Sequence, residues 1–446
     1  MKKYLLGTTA FAAASVAATG AMAQSLEDRI RTLEESMLMG SPGSGFDVSV
    51  SGSAHGGVFF LDIDHEAGTD QDYANVDVKV GSTEVHFTAT GHLDNGIEVG
   101  GRVELEGFTT GDQIDETYIW TEGGFGRMVI GAENGPSYLM HYSAPWYAGV
   151  NGVDSPNYRY TVAQAARTNT QTLIASDANK ITYFTPRFSG FQFGLSFTPD
   201  NSDRNGEQNG WGSAYDRSSG TAVENIVALA GNFSRDFGSV SFGASAGWES
   251  GSSSVVGDFD GDDSTPDTGV EEDPVNWHIG SEVSKGGFTL GGAYYRAEGF
   301  NQSDGSVSIL SLSNYGDGVA FDLGGERLLL AGSADSQIRV TDYHPTATAY
   351  DVSKDIEQIA WAVGASYGAG PWNIGIAYLQ SEWKLSVLNS NAAGETSVVG
   401  IGASYQAAPG VLVATDMGFY KDNTHLNNVG SDFEAFGAGL ILGISF

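Results

Sequence analysis

The chain has 446 residues, no cysteine, 62 glycines and 55 acidic against 21 basic residues, which gives a formal net charge of −34. The absence of cysteine excludes disulfides, cysteine-ligated metal sites and a cysteine nucleophile, and the negative charge argues against nucleic acid as a partner. With 41% hydrophobic residues the chain is too apolar for general disorder.

Residues 1–23 have the pattern of a secretory signal peptide. Two lysines precede an apolar, alanine-rich stretch over 4–18, and residues 21–23 read Ala-Met-Ala, which fits an A-x-A cleavage site. We therefore predict cleavage after Ala23 and export of the protein. A membrane anchor is the weaker alternative, because the apolar stretch is short and no cluster of charges follows it.

Residues 24–45 are predicted to form a short periplasmic helix and a linker. Within 25–39, apolar residues recur at helical spacings of 4, 3 and 4, at Leu26, Ile30, Leu33 and Met37. The pattern fits a three-helix coiled coil beneath a trimer, and it fits a frayed amphipathic tail equally well, because so short a helix is marginally stable alone.

From Phe46 to Phe446 the apolar residues alternate with polar or small ones, which indicates β-strands. The last segment is the clearest, since one of its faces carries Phe436, Ala438, Leu440, Leu442, Ile444 and Phe446. No stretch beyond the predicted signal peptide has the about 20 apolar residues that a membrane-spanning helix needs.

Sixteen such segments lie near 46–60, 74–92, 96–108, 114–122, 125–132, 179–186, 190–198, 222–237, 239–250, 274–285, 287–299, 355–368, 371–383, 395–407, 411–422 and 432–446. Short glycine-rich connections alternate with long ones. Segregated loop lengths and an even strand count favour an outer-membrane barrel over a soluble sandwich. We predict an all-β fold over 46–446, a 16-stranded antiparallel transmembrane β-barrel with short periplasmic turns and long extracellular loops. Tryptophans 120, 248, 277, 361, 372 and 383 are predicted to lie in its interfacial girdles.

The hairpin over 179–199 resembles the Gram-negative general porins, with greatest similarity to alphaproteobacterial porins. It reads NKITYFTPR at 179–187 and GFQFGLSFTP at 190–199, and Phe446 is similar to the family's C-terminal aromatic signal for the barrel-assembly machinery. The resemblance implies an outer-membrane homotrimer among lipids and lipopolysaccharide, with no cofactor, through which ions and small hydrophilic solutes diffuse passively. It also implies that the third long loop, 132–178, folds inward and narrows the pore.

A pore constriction works by its size and by fixed charges. The candidate residues for it are the loop acids Glu133, Asp154 and Asp177 and the wall bases Arg102, Arg127, Lys79 and Lys180. We predict that Glu133 and Asp154 face Arg102 and Arg127 across the pore, the alternative being that any of these is a solvated loop or rim charge. The net charge predicts a mild cation preference.

Two further loops have distinctive sequences. The loop over 250–273 begins like a calcium loop at Asp258, Asp260 and Asp262, but Asp263 takes the place of the required glycine and Gly269 that of the bidentate glutamate. Loose binding of divalent cations by Asp258, Asp260, Asp262 and Asp263 is therefore favoured over a specific metal site. The loop over 300–354 is too long for a structureless connector. We predict an extra hairpin or lid at the mouth there, with a contact between protomers as the alternative.

Two other functional classes compete with a general porin. The segments 243–247 and 364–368 fit the G-x-S-x-G motif of hydrolases, but both fall in predicted strands rather than in the strand–turn–helix context that the motif needs. An outer-membrane enzyme or an adhesin is therefore disfavoured. A substrate-specific channel for sugars or anions is the stronger alternative.

Overall fold

The structure, a computed structural model, describes residues 45–65, 76–107, 113–146, 152–154, 169–201, 223–253, 273–298, 319–322, 327–332, 338–342, 356–387, 390–426 and 429–446. The predicted signal peptide, the predicted helix over 25–39 and the acidic residues Asp258, Asp260, Asp262 and Asp263 lie outside the described residues.

In chain order the strands are β1 (Phe46–His65), β2 (Val76–His92), β3 (Glu98–Glu106), β4 (Ile114–Gly123), β5 (Gly126–Ala132), β6 (Asn179–Phe184), β7 (Phe191–Asp200), β8 (Val223–Phe237), β9 (Val240–Ser253), β10 (Val275–Lys285), β11 (Phe288–Glu298), β12 (Val319–Asp322), β13 (Arg327–Gly332), β14 (Ile338–Asp342), β15 (Ile356–Ala369), β16 (Trp372–Val387), β17 (Ser390–Ala408), β18 (Val411–Leu426) and β19 (Val429–Ser445). A single turn of helix, α1 (Pro136–Leu139), follows β5. In the described parts of the chain, no helix has the length and hydropathy of a membrane-spanning segment.

Sixteen of the described strands, β1–β11 and β15–β19, close into one antiparallel barrel, as predicted. The first and last strands form the seam, where Ser53 to His65 pair with Ser445 to Phe433. The seam continues to the C-terminus, because Phe446 and Gly52 exchange two backbone hydrogen bonds of 2.9 and 3.0 Å. Closure pairs the two edge strands that an open sheet would leave exposed.

Side chains alternate between the inside and the outside of the barrel, and the outside is the apolar side. On β19, Leu440, Leu442 and Ile444 are exposed, whereas the intervening Ile441 is only 1% exposed. The outward-facing side chains would meet lipid, while the small residues between them leave room inside. The period-two pattern of the sequence therefore predicted the strands, and the structure shows that their apolar faces are turned outward.

The strands are joined at one end of the barrel by tight turns. Gly370 lies between β15 and β16 with φ of 58°, and Gly410 lies between β17 and β18 with φ of 73°. An L-residue with a side chain is strained at such angles, whereas glycine is not. The predicted short turns are therefore confirmed.

Aromatic side chains form cross-strand pairs at two levels on the outer wall. The pairs on the side of the long loops are Trp277–Tyr294, Trp361–Tyr378 and Phe419–Phe436, with ring centroids 5.3, 5.1 and 5.0 Å apart. The pairs on the side of the turns are Phe191–Phe233, Phe288–Tyr367 and Trp372–Tyr405, at 4.7, 4.4 and 4.6 Å. Two aromatic levels flanking an apolar band are typical of outer-membrane barrels.

The prediction for Trp120 was wrong. Its side chain is buried inside the barrel, and its indole Nε1 donates a hydrogen bond of 2.9 Å to Glu98 Oε1. A side chain at Gly100, directly opposite on β3, would overlap the indole ring. The glycine thus makes room for an inward tryptophan, and the indole N–H finds a carboxylate there rather than a lipid headgroup.

The connection between β11 and β15 contains a separate three-stranded antiparallel sheet, in the order β12–β13–β14. The sequence predicted an additional hairpin in this region, and its strands are present. The lid role at the mouth stays a prediction.

Candidate pore constriction

The third long loop, between β5 and β6, follows the inner wall of the barrel. Three polar contacts mark its path: Asn232 on β8 donates to the Met140 carbonyl at 3.4 Å, Ser245 on β9 accepts from the Tyr142 N–H at 2.8 Å, and Asn373 on β16 donates to the Trp146 carbonyl at 3.5 Å. The predicted inward folding of this loop is therefore confirmed.

Glycines on the wall let the loop backbone lie directly against the strands. A Cβ atom at Gly280 of β10 would overlap the carbonyl oxygen of Tyr142, and one at Gly291 of β11 would overlap that of Ser143. Any side chain at these two positions would occupy the space that the loop fills. The glycines therefore determine how closely the loop can approach.

One carboxylate holds both limbs of the loop. Glu249 on β9 is only 1% exposed. Its Oε1 accepts a hydrogen bond of 2.7 Å from Ser137 Oγ, and its Oε2 accepts one of 2.7 Å from the Ile174 N–H. Ser137 lies near the start of the loop and Ile174 near its end. Glu249 therefore joins both the outgoing and the returning limb of the loop to the wall.

Lys180 is an anchor of the loop rather than a charge in the open pore. It is buried, and its Nζ donates to the backbone carbonyls of Ser176 and Ala178 at 2.6 Å each and to that of Glu133. The three carbonyls satisfy the three donors of the ammonium group. This position differs from the pore-facing one that the sequence suggested.

Asp154 is also buried within the loop, at 1% exposure. Its carboxylate accepts hydrogen bonds from the Thr170 N–H at 2.7 Å, from Thr170 Oγ1 at 2.5 Å and from Ser143 Oγ. These contacts join parts of the loop that are far apart in the sequence. His141 Nε2 adds a further hydrogen bond of 3.0 Å to Thr170 Oγ1. The structure therefore does not bring Asp154 opposite Arg102 or Arg127, since its carboxylate is used to fold the loop.

Glu133 does reach the charged part of the wall. Asn134 connects it to β4, since the Asn134 N–H donates to Glu133 Oε1 and its side-chain amide donates to Glu116 Oε1, both at 2.9 Å. Glu133 also interacts electrostatically with Tyr118, which pairs with Arg102 across the strands. The structure thus brings Glu133, but not Asp154, to the wall that carries Arg102.

Arg102 lies in a compact group of charges on β2 and β3. Its guanidinium forms an ion pair with Glu104, and its Nη2 is 2.7 Å from His86 Nδ1. His86 Nε2 lies 3.2 Å from a carboxylate oxygen of Glu84 and 3.3 Å from one of Glu104. Together with Glu116 and Glu133, this group forms the candidate constriction, which we define as Glu84, His86, Arg102, Glu104, Glu116 and Glu133.

The remaining predicted charges lie apart from this group. Arg127 contacts Glu122 at 3.5 Å and lies over the Trp120 ring at 4.9 Å, close to the turn between β4 and β5. Lys79 is largely exposed and pairs with Asp77 at 2.9 Å. Asp177 accepts from Ser176 Oγ at 3.3 Å at the base of the loop.

Sequence reasoning missed several residues of the site. Glu84 and His86 could have been found, because they alternate on β2 as Arg102 and Glu104 do on β3. The sequence around Glu249 indicates only that this side chain faces the opposite way from Trp248. Nothing in the sequence of a strand shows which loop one of its side chains will contact.

The inner wall on β1 and β15–β19 differs, because it carries an apolar cluster. The loop residue Val153 packs in this cluster, and the larger wall members are Phe59, Leu379, Val398, Tyr420 and Ile441. The charges of the candidate constriction therefore lie on one side of the barrel interior.

The chain was compared with known families and structures. Residues 8–425 match the family model described as Gram-negative porin. Among solved structures, an anion-selective porin from Comamonas acidovorans is 15% identical, with 90% of this chain and 100% of that chain covered and a TM-score of 0.52. The trimer form of OmpT, an outer membrane protein of Vibrio cholerae, is 14% identical with the same coverage and TM-score. No curated protein sequence matches.

The two structural similarities, at such low identity, show the fold alone, whereas the family match spans nearly the whole sequence. Both G-x-S-x-G segments lie within strands, in β9 and β15. The family and the fold point to a channel rather than to an enzyme. The chain belongs to the Gram-negative porin family and is a channel of the outer membrane.

Proposed function

We propose that the chain forms a water-filled channel for passive diffusion of ions and small hydrophilic solutes, with a mild preference for cations. The observation that supports this best is the charge of the candidate constriction, where four glutamates, at positions 84, 104, 116 and 133, accompany a single arginine, Arg102. The similar Comamonas structure is described as anion-selective, but at 15% identity its wall charges do not carry over.

The preference is expected to be mild because salt screens fixed charges over about 8 Å at physiological ionic strength. A potential worth about 1 kcal/mol changes the partitioning of an ion about fivefold. Such a field biases permeation without selecting a single ion.

Neutralising the acids that the loop brings to the wall should reduce this bias. In planar bilayers under a KCl gradient, Glu133→Gln combined with Glu116→Gln is expected to lower the cation-to-anion permeability ratio by about twofold, a fraction of the fivefold bias above. The control is Glu298→Gln, on the outer wall, where Glu298 pairs with Arg296 at 2.6 Å. A reversal potential that is equal in both variants would remove these acids from the constriction.

The alternative, a substrate-specific channel, is separated by liposome swelling. A general pore gives rates that fall smoothly with the mass of graded sugars. Rates that saturate with the concentration of one sugar would instead require a binding site for it.

We also propose a homotrimer whose interface is the outer face of β2–β5. Val76, Val78 and Val80 are 60%, 73% and 67% exposed there, and Phe87 is the only outward-facing aromatic on these four strands. The sector thus lacks the paired rings that face headgroups elsewhere on the barrel. The Vibrio cholerae structure is described as a trimer, and a second copy of the chain is the partner that this aliphatic surface would fit.

Single cysteines test this interface, because the chain has none of its own. With a bifunctional maleimide in intact outer membranes, Ile119→Cys on β4 is expected to give cross-linked oligomers. Ile376→Cys on β16, equally outward-facing with 49% exposure, should stay monomeric under the same treatment. Equal cross-linking at both positions would show that the reagent captures random collisions, and it would contradict an interface on β2–β5.

The outer wall near the long loops carries charges that suit lipopolysaccharide. Arg296 pairs with Glu298 and Glu357, and Lys421 pairs with Glu434. These ion pairs lie just beyond the aromatic pairs on the side of the long loops. We propose that these ion pairs lie at the headgroup level. Phe446, which is 59% exposed at the seam, is proposed as the signal for the barrel-assembly machinery. Cleavage after Ala23 and the helix over 25–39 remain proposals.

A further inference from the structure

Three side chains of the candidate constriction are arranged like the ligands of a metal ion. His86 Nε2 lies 3.2 Å from Glu84 Oε2 and 3.3 Å from Glu104 Oε2, and the three donor atoms all lie within 4.8 Å of one another. Ligands about 2.0–2.2 Å from a tetrahedral zinc ion are about 3.3–3.6 Å apart. The two shorter separations therefore match the edges of a zinc tetrahedron closely.

The strands fix this arrangement without help from any loop. Glu84 and His86 are two residues apart on β2 and so point to the same side of the sheet. Glu104 is the direct cross-strand partner of His86 on β3. Because all three side chains project from paired strands of a closed barrel, little chain ordering is needed when an ion arrives.

We propose that Glu84, His86 and Glu104 form a site for Zn²⁺ or a similar transition-metal ion on the pore wall. One imidazole nitrogen and two carboxylate oxygens are ligands that such ions accept, whereas Mg²⁺ and Ca²⁺ favour oxygen ligands throughout. Three protein ligands leave a fourth position for water. The side chain of Glu84 is 33% exposed, so the site is open to the channel.

Arg102 couples this site to the charge of the pore. An arginine can only donate hydrogen bonds, so His86 Nδ1 accepts from Arg102 Nη2 at 2.7 Å and the neutral ring carries its proton on Nε2. A metal ion at Nε2 replaces that proton, the ring then carries its proton on Nδ1, and Nδ1 can no longer accept from the arginine. Arg102 Nη2 must therefore move away from His86 when the metal binds, and the ion at Glu104 Oε2 competes with the guanidinium at Oε1 for the charge of that carboxylate.

The consequence deepens the proposed function and rests on it. A bound ion adds two positive charges to the wall, and the displaced guanidinium faces the pore. Both changes repel cations. Transition-metal ions are therefore expected to reduce the cation preference of the channel and to block part of the cation current.

The test combines calorimetry on the purified protein in detergent with planar-bilayer recordings. ZnCl₂ at micromolar concentration should give a saturable binding heat, shift the reversal potential towards the anion value and reduce the conductance. MgCl₂ at the same concentration should have none of these three effects. His86→Gln should weaken zinc binding by more than about tenfold, because even groups that merely orient metal ligands are worth about 10–100-fold in affinity.

Two further variants make the result specific. His55→Gln removes another inward-facing histidine, on β1 next to Gly443, and should retain zinc binding within about twofold, on the same affinity scale. Arg102→Gln should bind zinc more tightly than the unmodified chain, because it removes a competing cation and a donor to His86. A misfolded barrel would not produce tighter binding.

The outcomes separate the metal site from the channel. If the unmodified protein conducts with a cation preference but zinc gives no saturable heat, or if His86→Gln binds zinc as well as the unmodified chain, the metal site is refuted and the channel stands. If zinc binds with the predicted pattern of variants but no conductance is found, the proposed function fails and the site stands.

Discussion

Removing the carboxylate of Glu249 is expected to release the inward loop and raise the single-channel conductance. In Glu249→Ala, Ser137 Oγ and the Ile174 N–H each lose the acceptor that now lies 2.7 Å away. A buried donor left without an acceptor costs about 1–3 kcal/mol. A loss of about 2 kcal/mol of loop attachment would raise the population of detached loop about 30-fold.

The single-channel conductance of Glu249→Gln should lie between that of the unmodified chain and that of Glu249→Ala. The amide keeps the size of the side chain and one acceptor, but its NH₂ group is a donor. The amide oxygen can still accept from the Ile174 N–H, and the NH₂ group can donate to Ser137 Oγ, because a hydroxyl also accepts. Both limbs of the loop then stay held, but by neutral hydrogen bonds that are weaker than those to a carboxylate. The conductance is expected to increase from the unmodified chain to glutamine and then to alanine.

Single-channel recordings and hydrogen exchange together check this order. The amide of Ile174 should exchange faster in Glu249→Ala, while the amides of the β15–β16 hairpin, far along the sheet, should keep their protection. Glu434→Gln on the outer wall, where Glu434 pairs with Lys421, is the matched control for removing a strand glutamate. If Ile174 exchanges faster but conductance is unchanged, the loop does not narrow the pore.

The barrel could be predicted from the sequence because its rule is local. Whether a side chain on β19 faces lipid or the interior depends on its position in an alternation, so the period-two pattern by itself places Leu440 and Ile441 on opposite faces. The same rule could place Arg102 and Glu104 inside. The prediction for Trp120 came from its residue type and not from this alternation, and it was wrong because Glu98 on another strand accepts from the indole N–H and the ring fills the space over Gly100.

The loop could not be predicted in the same way, because its partners lie far away in the sequence. Asp154 and Lys180 have the charges expected of pore residues, yet both are used to satisfy backbone and hydroxyl groups of the loop itself. Glu249, which holds the loop to the wall, is 112 residues from Ser137. A charge in a loop therefore indicates a polar partner but not whether that partner is a permeating ion or the chain.

A side chain at Gly280 is expected to have a comparable effect on conductance by steric means. The Cβ of Gly280→Ala would overlap the carbonyl oxygen of Tyr142. The position of the Cβ is fixed by the main chain of β10, and the oxygen belongs to the main chain of the loop. No rotamer change can therefore relieve the overlap, and the loop must move away from β10. Overpacking of this kind costs about 1–3 kcal/mol. The displacement also stretches the hydrogen bond of 2.8 Å between the Tyr142 N–H and Ser245 Oγ on β9.

Gly280→Ala should therefore give a channel of altered conductance and noisier open current, while the barrel itself stays folded. The control is Gly101→Ala on β3, where a Cβ would meet its nearest neighbour at an ordinary 3.5 Å. That variant should match the unmodified chain. Combining Gly280→Ala with Ser245→Ala adds a readout, because Ser245 contributes only while the loop lies on the wall. If Ser245→Ala perturbs the conductance equally with glycine or alanine at 280, the loop has not moved and the glycine does not set its position.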